Sequence, residues 1–258
     1  MLNRVLVYFS SEEEVDYLLS FMEVLKKKYK NIEITGIYVK DISKYDVIPP
    51  MVEGLVIDST NNYILSEWNE LEQKHEKQIK EKFLNKIEGE FYTKEGNASD
   101  ELLEEMKLHD LLIFAKEIYL KNEIKNIFKL HYKPIIAVPK LAHYNFEKIL
   151  IADDNGLNIN KSFFEFIKLF DDIKEFTALS INSETESKKD LNIYLNKIDK
   201  KINYKEEIGN EVEILKDYAY EADILVIGNL RYSFILEKLT GKIGVKIIEK
   251  INKPIFLF

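Results

Sequence analysis

The chain has 258 residues, of which 46% are hydrophobic and 32% charged, and its formal net charge is −8. This length suffices for one large domain or two of ordinary size, and lysines mixed among Glu and Asp argue against a general nucleic-acid binder. The lack of cysteine excludes disulfides, thiol catalysis and cysteine-based zinc sites, and no apolar run reaches the ~18 residues that span a bilayer. We therefore expect a soluble, cytoplasmic protein with no membrane association and no signal peptide.

The first half of the chain alternates predicted strands with predicted helices. After an apolar first strand, Ser10 and Ser11 precede three glutamates, which favour the start of a helix. A connection at 41–58 and a long helix then separate the second strand from the third. Residues 72–78 of that helix are polar all round, so we expect them to project into solvent or to bridge partners. The predicted strands are 4–9, 32–39, 90–94, 110–115 and 134–139, and the later helices are 61–86, 100–108 and 118–130.

The pattern restarts after a short linker at 141–145. Residues 224–227 form a brief apolar run rich in β-branched side chains, which is typical of a strand covered on both faces in a parallel sheet. Pro254 stops the last helix and opens the last strand. The predicted strands are 148–153, 176–182, 202–206, 224–227 and 254–258, and the helices are 163–170, 191–198, 212–220 and 243–251.

The two halves form an internal repeat. Three pairs of residues recur at matching places in the two halves, namely Gly96 with Gly209, Asp110 with Asp223 and Pro134 with Pro254. The first half carries about 31 extra residues between its second and third strands, as the offsets of 144 and 113 residues show. We therefore predict two tandem α/β domains, 1–140 with a long helical insertion at 41–88, and 146–258. Each would hold a five-stranded parallel sheet of Rossmann-like type with helices on both faces.

An anion site is predicted in the second half. Gly228 ends a buried strand, and ligands bind beyond the carboxyl ends of strands in open α/β sheets. The free N–H groups near Gly241, Lys242 and Ile243, at the start of the next helix, favour an anion at the same place. The alternative, in which Gly228 and Gly241 only form a turn and a helix cap, stays open on spacing alone.

This segment resembles the C-terminal part of a universal stress protein domain. Nucleotide-binding members of that family carry Gly, two residues, Gly, nine residues and then Gly followed by Ser or Thr. Gly228 and Gly241 match the first and third glycines, whereas Arg231 and Lys242 replace the second glycine and the hydroxyl residue. The replacements remove a close backbone approach and a hydroxyl contact. Alternatively, both cationic side chains contact phosphate directly.

The resemblance extends over nearly the whole chain and implies a stress-response or signalling module that binds ATP or a related adenine nucleotide, with Mg²⁺, in the second half. By resemblance, the contacts would be Asp154 at the ribose or a metal, Ile181 at the adenine, and Gly228, Arg231, Gly241, Lys242 and Ile243 at the phosphates. The alternative for Asp154 is a helix cap or turn residue, and for Arg231 a solvated loop cation. The sequence identifies no metal ligands.

The first half is predicted to be degenerate as a nucleotide site and structural in role. Ser10 stands where the second half has Asp154, Ala115 replaces the first glycine, and no glycine follows before Pro134. In the family, sister domains often pair through their last strands. Because exposed apolar edges invite aggregation, we expect 134–138 and 254–258 to pair within the chain.

Two other functions are considered from different classes. A nucleotide-independent scaffold or interaction protein would use the same fold to dimerise, and the polar helix and the degenerate first half favour it. An enzyme has the least support, since no nucleophile–base pair or metal cluster is visible, although slow ATP hydrolysis is compatible with bound Mg²⁺. We also expect a homo-oligomer, a dimer of tandem chains, and an unidentified protein partner.

Overall fold

The computed structural model describes residues 1–41, 58–117, 121–182, 189–228 and 248–258, with backbone alone for 58–69 and 189–190. The strands are β1 (Arg4–Phe9), β2 (Glu33–Asp41), β3 (Glu90–Gly96), β4 (Leu111–Ala115), β5 (Ile135–Val138), β6 (Ile149–Ala152), β7 (Glu175–Ile181), β8 (Lys201–Glu207), β9 (Ile224–Ile227) and β10 (Ile255–Leu257). The helices are α1 (Glu12–Lys28), α2 (Asp58–Lys86), α3 (Ala98–Glu105), α4 (Asn122–Leu130), α5 (Leu157–Leu169), α6 (Lys189–Lys197) and α7 (Glu211–Glu221). Residues 248–250 are also helical.

The strands form one ten-stranded sheet in the order β3-β2-β1-β4-β5-β10-β9-β6-β7-β8. All pairs are parallel except β5 with β10, which run antiparallel with Ile136 opposite Phe256. Each half therefore contributes five parallel strands, and the two sets meet at their last strands. The predicted pairing of the last strands within one chain is confirmed. The predicted domain boundaries stay a prediction.

Burial explains which strands are central and which lie at the edges. The strands β4, β5 and β9 are buried along their whole length, as expected for strands covered on both faces. The outermost strands, β3 and β8, contain no buried residue and carry several charged side chains. Charged edge strands discourage pairing with another chain. The charge pattern therefore protects both ends of the sheet.

Two hydrophobic cores lie on opposite faces of the sheet. Helices α1, α2 and α5, with Leu195 of α6, cover the first core, and α3, α4, α7 and residues 248–251 cover the second. The first core is continuous between the halves. Its centre is a group of aromatic side chains. The rings of Phe166 and Phe256 pack edge to face with their centroids 5.0 Å apart, and the ring centroids of Phe146 and Phe170 lie 4.7 Å apart.

The predicted linker at 141–145 is packed against the protein. Tyr144 is buried, donates a hydrogen bond to the Pro139 carbonyl oxygen at 2.6 Å, and packs edge to face on Phe21. Polar contacts also join the halves, because Lys28 lies 2.8 Å from Asp172 and Tyr29 donates to the same carboxylate.

Of the two alternatives for residues 72–78 of α2, projection into solvent holds only for one side of the helix, where Gln73, Lys74 and Lys77 are exposed, whereas the other side contacts the sheet. Glu72 is buried and accepts a hydrogen bond from the hydroxyl of Tyr38. Glu76 forms an ion pair with Lys40 at 2.7 Å. The helix looked polar all round because its partners at the end of β2 are themselves polar. The predicted connection at 41–58 lies almost entirely outside the described residues.

None of the helices in the described ranges combines the length and the hydrophobicity that a membrane span requires.

Candidate functional site

The candidate site lies at the carboxyl ends of β6, β7 and β9. After β6 the chain enters α5 on one face of the sheet, whereas α7 leads into β9 from the other face. The boundary between β6 and β9 is therefore the topological switch point of the second half, where open α/β sheets bind ligands. Asp154, Ile181 and Gly228 all lie at the ends of these three adjacent strands.

The turn from β6 into α5 is held by two carboxylates. Asp153 is buried and accepts a hydrogen bond from Asn155 N at 3.0 Å, and Asp154 accepts one from Gly156 N at 2.8 Å. Asn155 adopts a left-handed conformation with φ of 59°. Asp154 thus has the turn role that was considered as its alternative. Asp154 is nevertheless exposed, so its carboxylate is also accessible to a ligand.

Gly228, directly after β9, closely approaches the first turn of α5, which favours glycine there. A Cβ at this position would lie 3.0 Å from the backbone nitrogen of Ile159 and 3.1 Å from the Cβ of Asn158. Both distances are tighter than ordinary contacts. Gly228 therefore has a steric reason for being glycine, and its contact with phosphate stays a prediction.

Ile181 ends β7 and packs partly buried against the second core. The residue after it, Asn182, has φ of 56° and ties two loops together. Its amide donates to the Gly209 carbonyl oxygen and its Oδ1 accepts from Gly209 N, both at 2.9 Å. This pair fixes the ends of β7 and β8 beside the predicted adenine position. The sequence analysis missed Asn182, although asparagine is among the residues that tolerate left-handed backbone.

The remaining predicted site residues, Arg231, Gly241, Lys242 and Ile243, lie outside the described residues. The described part of the site thus brings together three of the seven predicted positions. Among the described residues no group of three or more His, Asp or Glu side chains is arranged to hold a metal ion.

The fold is shared with a protein of known structure. No protein-family model and no curated protein matches the sequence. Among solved structures, the crystal structure of a universal stress protein from Archaeoglobus fulgidus DSM 4304 superposes with a TM-score of 0.64, covering 98% of this chain and 95% of that chain. The chain has the universal stress protein fold. At 14% sequence identity the likeness concerns the fold, and it confirms the predicted fold class.

The first half of this universal stress protein fold has a different arrangement at the corresponding edge. Glu14 is buried and accepts hydrogen bonds from Ser10 N at 2.9 Å and from Ser10 Oγ at 2.7 and 2.9 Å. Lys121 Nζ lies 3.2 Å from Glu14 Oε1 and donates to Ser10 Oγ at 2.8 Å. We call Ser10, Glu14 and Lys121 the Glu14 cluster.

The electrostatics of the Glu14 cluster are those of a partly desolvated ion pair. Burial raises the pKa of Glu14 above its usual value, and Lys121 and Ser10 oppose the shift without cancelling it. Burial also acts to lower the pKa of Lys121, but the carboxylates of Glu14 and Glu117 outweigh it and the net pKa is raised. The positive charge at this edge is therefore already compensated within the protein.

The internal repeat identifies what replaces the cluster in the second half. At the 144-residue offset of the first strands, Ser10 corresponds to Asp154 and Glu14 to Asn158. Counted back from the matched prolines, Lys121 corresponds to Gly241. At these two aligned sequence positions the second half therefore has Asn158 in place of the carboxylate and Gly241 in place of the lysine.

Proposed function

We propose that the second half binds an adenine nucleotide, ATP or a close relative, together with Mg²⁺, and that the protein acts as a stress-response or signalling module. The observation that carries the proposal is the difference between the halves. In the first half, the Glu14 cluster occupies the space at the carboxyl ends of the strands. In the second half, Asn158 and Gly241 stand at the equivalent sequence positions and Asp154 is exposed. The fold and the switch point support the same location.

Each predicted residue has a chemical role in this proposal. The Asp154 carboxylate accepts a hydrogen bond from a ribose hydroxyl or binds Mg²⁺, which prefers oxygen ligands shared with phosphates. The backbone at Ile181 meets the adenine. Free N–H groups at the helix start near Gly241 and the side chains of Arg231 and Lys242 bind the phosphates.

The test is thermal unfolding of the full chain with and without ATP, ADP and AMP in the presence of Mg²⁺. A ligand at 100 times its dissociation constant adds about 2.7 kcal/mol, and each kcal/mol moves the midpoint by roughly 2–4 °C for a protein of this size. We expect Gly241→Asp and Lys242→Glu to lose the shift. Lys250→Glu reverses the charge of an exposed lysine in the following helix and should keep it. No shift at millimolar nucleotide would overturn the proposal.

A second candidate is a nucleotide-independent scaffold that forms a dimer of chains. The Glu14 cluster favours the scaffold, because it occupies the place in the first half where a ligand would otherwise bind. Since β5 and β10 each have neighbours on both sides, such a dimer would use other surfaces. Light scattering on the full chain, with and without ATP, tests this candidate. A dimer that forms equally with and without ATP, together with an unchanged unfolding midpoint in the presence of nucleotide, would favour the scaffold.

A further inference from the structure

The donors around Glu14 converge from two elements. Ser10 lies just before α1 and supplies a backbone N–H and a hydroxyl, and Lys121 immediately precedes α4 and supplies an ammonium group. An N–H, a hydroxyl and an ammonium around one carboxylate are the donors that proteins use to bind oxyanions. Lys121 Nζ also forms an ion pair with Glu117 Oε1 at 2.9 Å, which removal of Glu14 leaves in place. Here the oxyanion they bind is a side chain of the same chain.

The Glu14 carboxylate leaves no room for a second anion. Glu14 is only 4% exposed, and the space left among Tyr8, Ser10, Lys121 and their described neighbours is about 10 Å³. That volume is at the limit for a single water molecule. An external carboxylate or phosphate therefore cannot enter while Glu14 is in place.

We infer that the first half retains an intact oxyanion-binding site, formed by Ser10 N–H, the Ser10 hydroxyl and the Lys121 ammonium, which Glu14 keeps permanently occupied. An external oxyanion binds there only when the Glu14 carboxylate is removed. In the wild-type chain this site is consequently closed to external anions, whatever the second half binds. The inference is independent of nucleotide binding in the second half.

The experiment is chemical rescue of Glu14→Ala by formate in the full chain, followed by thermal unfolding. Formate carries the deleted carboxylate without its side chain, so it restores the hydrogen bonds of Ser10 and the contact that Lys121 made with Glu14. Glu13→Ala is the matched control, because Glu13 is an exposed glutamate in the same turn of α1. The salt is sodium formate, balanced with sodium chloride at constant ionic strength.

We expect Glu14→Ala to unfold at a lower temperature than the wild type and formate to raise its midpoint saturably, by about 2–4 °C more than in the controls. The wild type, Glu13→Ala and Glu14→Ala all have the same second half. Any formate-induced shift of the midpoint that arises in the second half is therefore equal in the three proteins and cancels in the comparison. Adding Lys121→Met to Glu14→Ala should remove the rescue. Equal responses in Glu14→Ala and Glu13→Ala would overturn the inference.

Glu14→Ser provides the same measurement if Glu14→Ala does not fold. Its hydroxyl keeps an acceptor for Ser10 N–H and still leaves space for formate. A formate response larger than that of Glu13→Ala supports the inference, and an equal response overturns it.

Discussion

At the scale of single residues, Gly89 shows how a backbone contact restricts one position. It lies between α2 and β3, and a Cβ there would lie 2.1 Å from the carbonyl oxygen of Ile34. Because the obstacle is backbone, it cannot rotate away. We expect Gly89→Ala to lower the free energy of unfolding by about 1–3 kcal/mol, measured by urea denaturation. Glu88→Ala, at the exposed neighbouring residue, is the control, and equal stability of the two variants would contradict this argument.

His109 predicts a pH dependence of stability. The residue is buried, and burial lowers its pKa below the usual 6.5, while the hydrogen bond from Nδ1 to the Glu105 carbonyl oxygen at 2.8 Å acts in the opposite direction. Its Nε2 has no hydrogen-bond partner within the described ranges. Because the unfolded chain binds a proton at this histidine at a higher pH than the folded chain, stability is lost as pH falls below about 6.5.

We therefore expect His109→Gln to flatten the decline in unfolding free energy between about pH 6.5 and pH 5. His143→Gln, which changes an exposed histidine of the linker, should leave that decline as it is in the wild type. The measurement is urea denaturation at several pH values. An unchanged slope in His109→Gln would show that the wild-type decline has another source.

At this scale the position of Gly228 followed from the end of its strand and from glycine spacing, which are local signals, and that of Asp154 from the resemblance. The contacts of both residues with a ligand stay predictions. The contact of Glu14 with Lys121 joins residues 107 positions apart and leaves no local pattern. Asn182 was missed for the same reason, since its partner Gly209 lies 27 positions away.

At the scale of elements, α2 shows why amphipathic patterns fail when polar residues are buried in pairs. Glu76 is held by two groups of the sheet, with Lys40 at 2.7 Å and Thr93 Oγ donating at 2.9 Å. Burial acts to raise the pKa of Glu76, but these contacts outweigh it and the net pKa is lowered. A pattern based on hydrophobicity alone detected the contacts of Ile79 and Phe83 with the core and missed these.

Removing the Glu76 carboxylate should weaken the attachment of α2 to the sheet. We expect Glu76→Ala to lower the free energy of unfolding by about 1 kcal/mol, because its hydrogen bonds are charge-assisted but partly exposed. The control is Glu81→Ala, which makes the same substitution in the same helix, so the effect of helix propensity cancels in the comparison. The exposed contact of Glu81 with Lys77 at 3.9 Å should contribute less than about 0.5 kcal/mol to the free energy of unfolding. Comparable losses in both variants would argue against a specific role for Glu76.

At the scale of the whole molecule, the shared sheet and the continuous first core predict that the halves unfold together. The pairing of the two five-stranded halves through their last strands was predictable because the repeat and the apolar last strands are both visible in the sequence. The extent of the shared aromatic core was not, since Phe146, Phe166 and Phe256 come together from three separate segments. Packing between distant segments has no periodic signature.

Phe256→Ala tests this cooperativity. Loss of a fully buried phenylalanine costs about 3–5 kcal/mol, and Phe164→Ala, at a partly exposed position on α5, should cost less. Trp68, the only tryptophan of the sequence, belongs to the first half. We expect the fluorescence and far-UV circular dichroism midpoints of Phe256→Ala to fall together. Two separate transitions would show that the halves unfold independently.

The antiparallel pairing of β5 with β10 also gives the molecule two poles. The carboxyl ends of β1 and β4 point towards one pole and those of β6 and β9 towards the other, because direction reverses once, at the centre of the sheet. The Glu14 cluster seals the first pole, and the candidate nucleotide site lies at the second. On the proposed function, a partner that recognises the bound nucleotide would approach from the second pole. A tag or surface attached near Ser10 would leave that pole accessible.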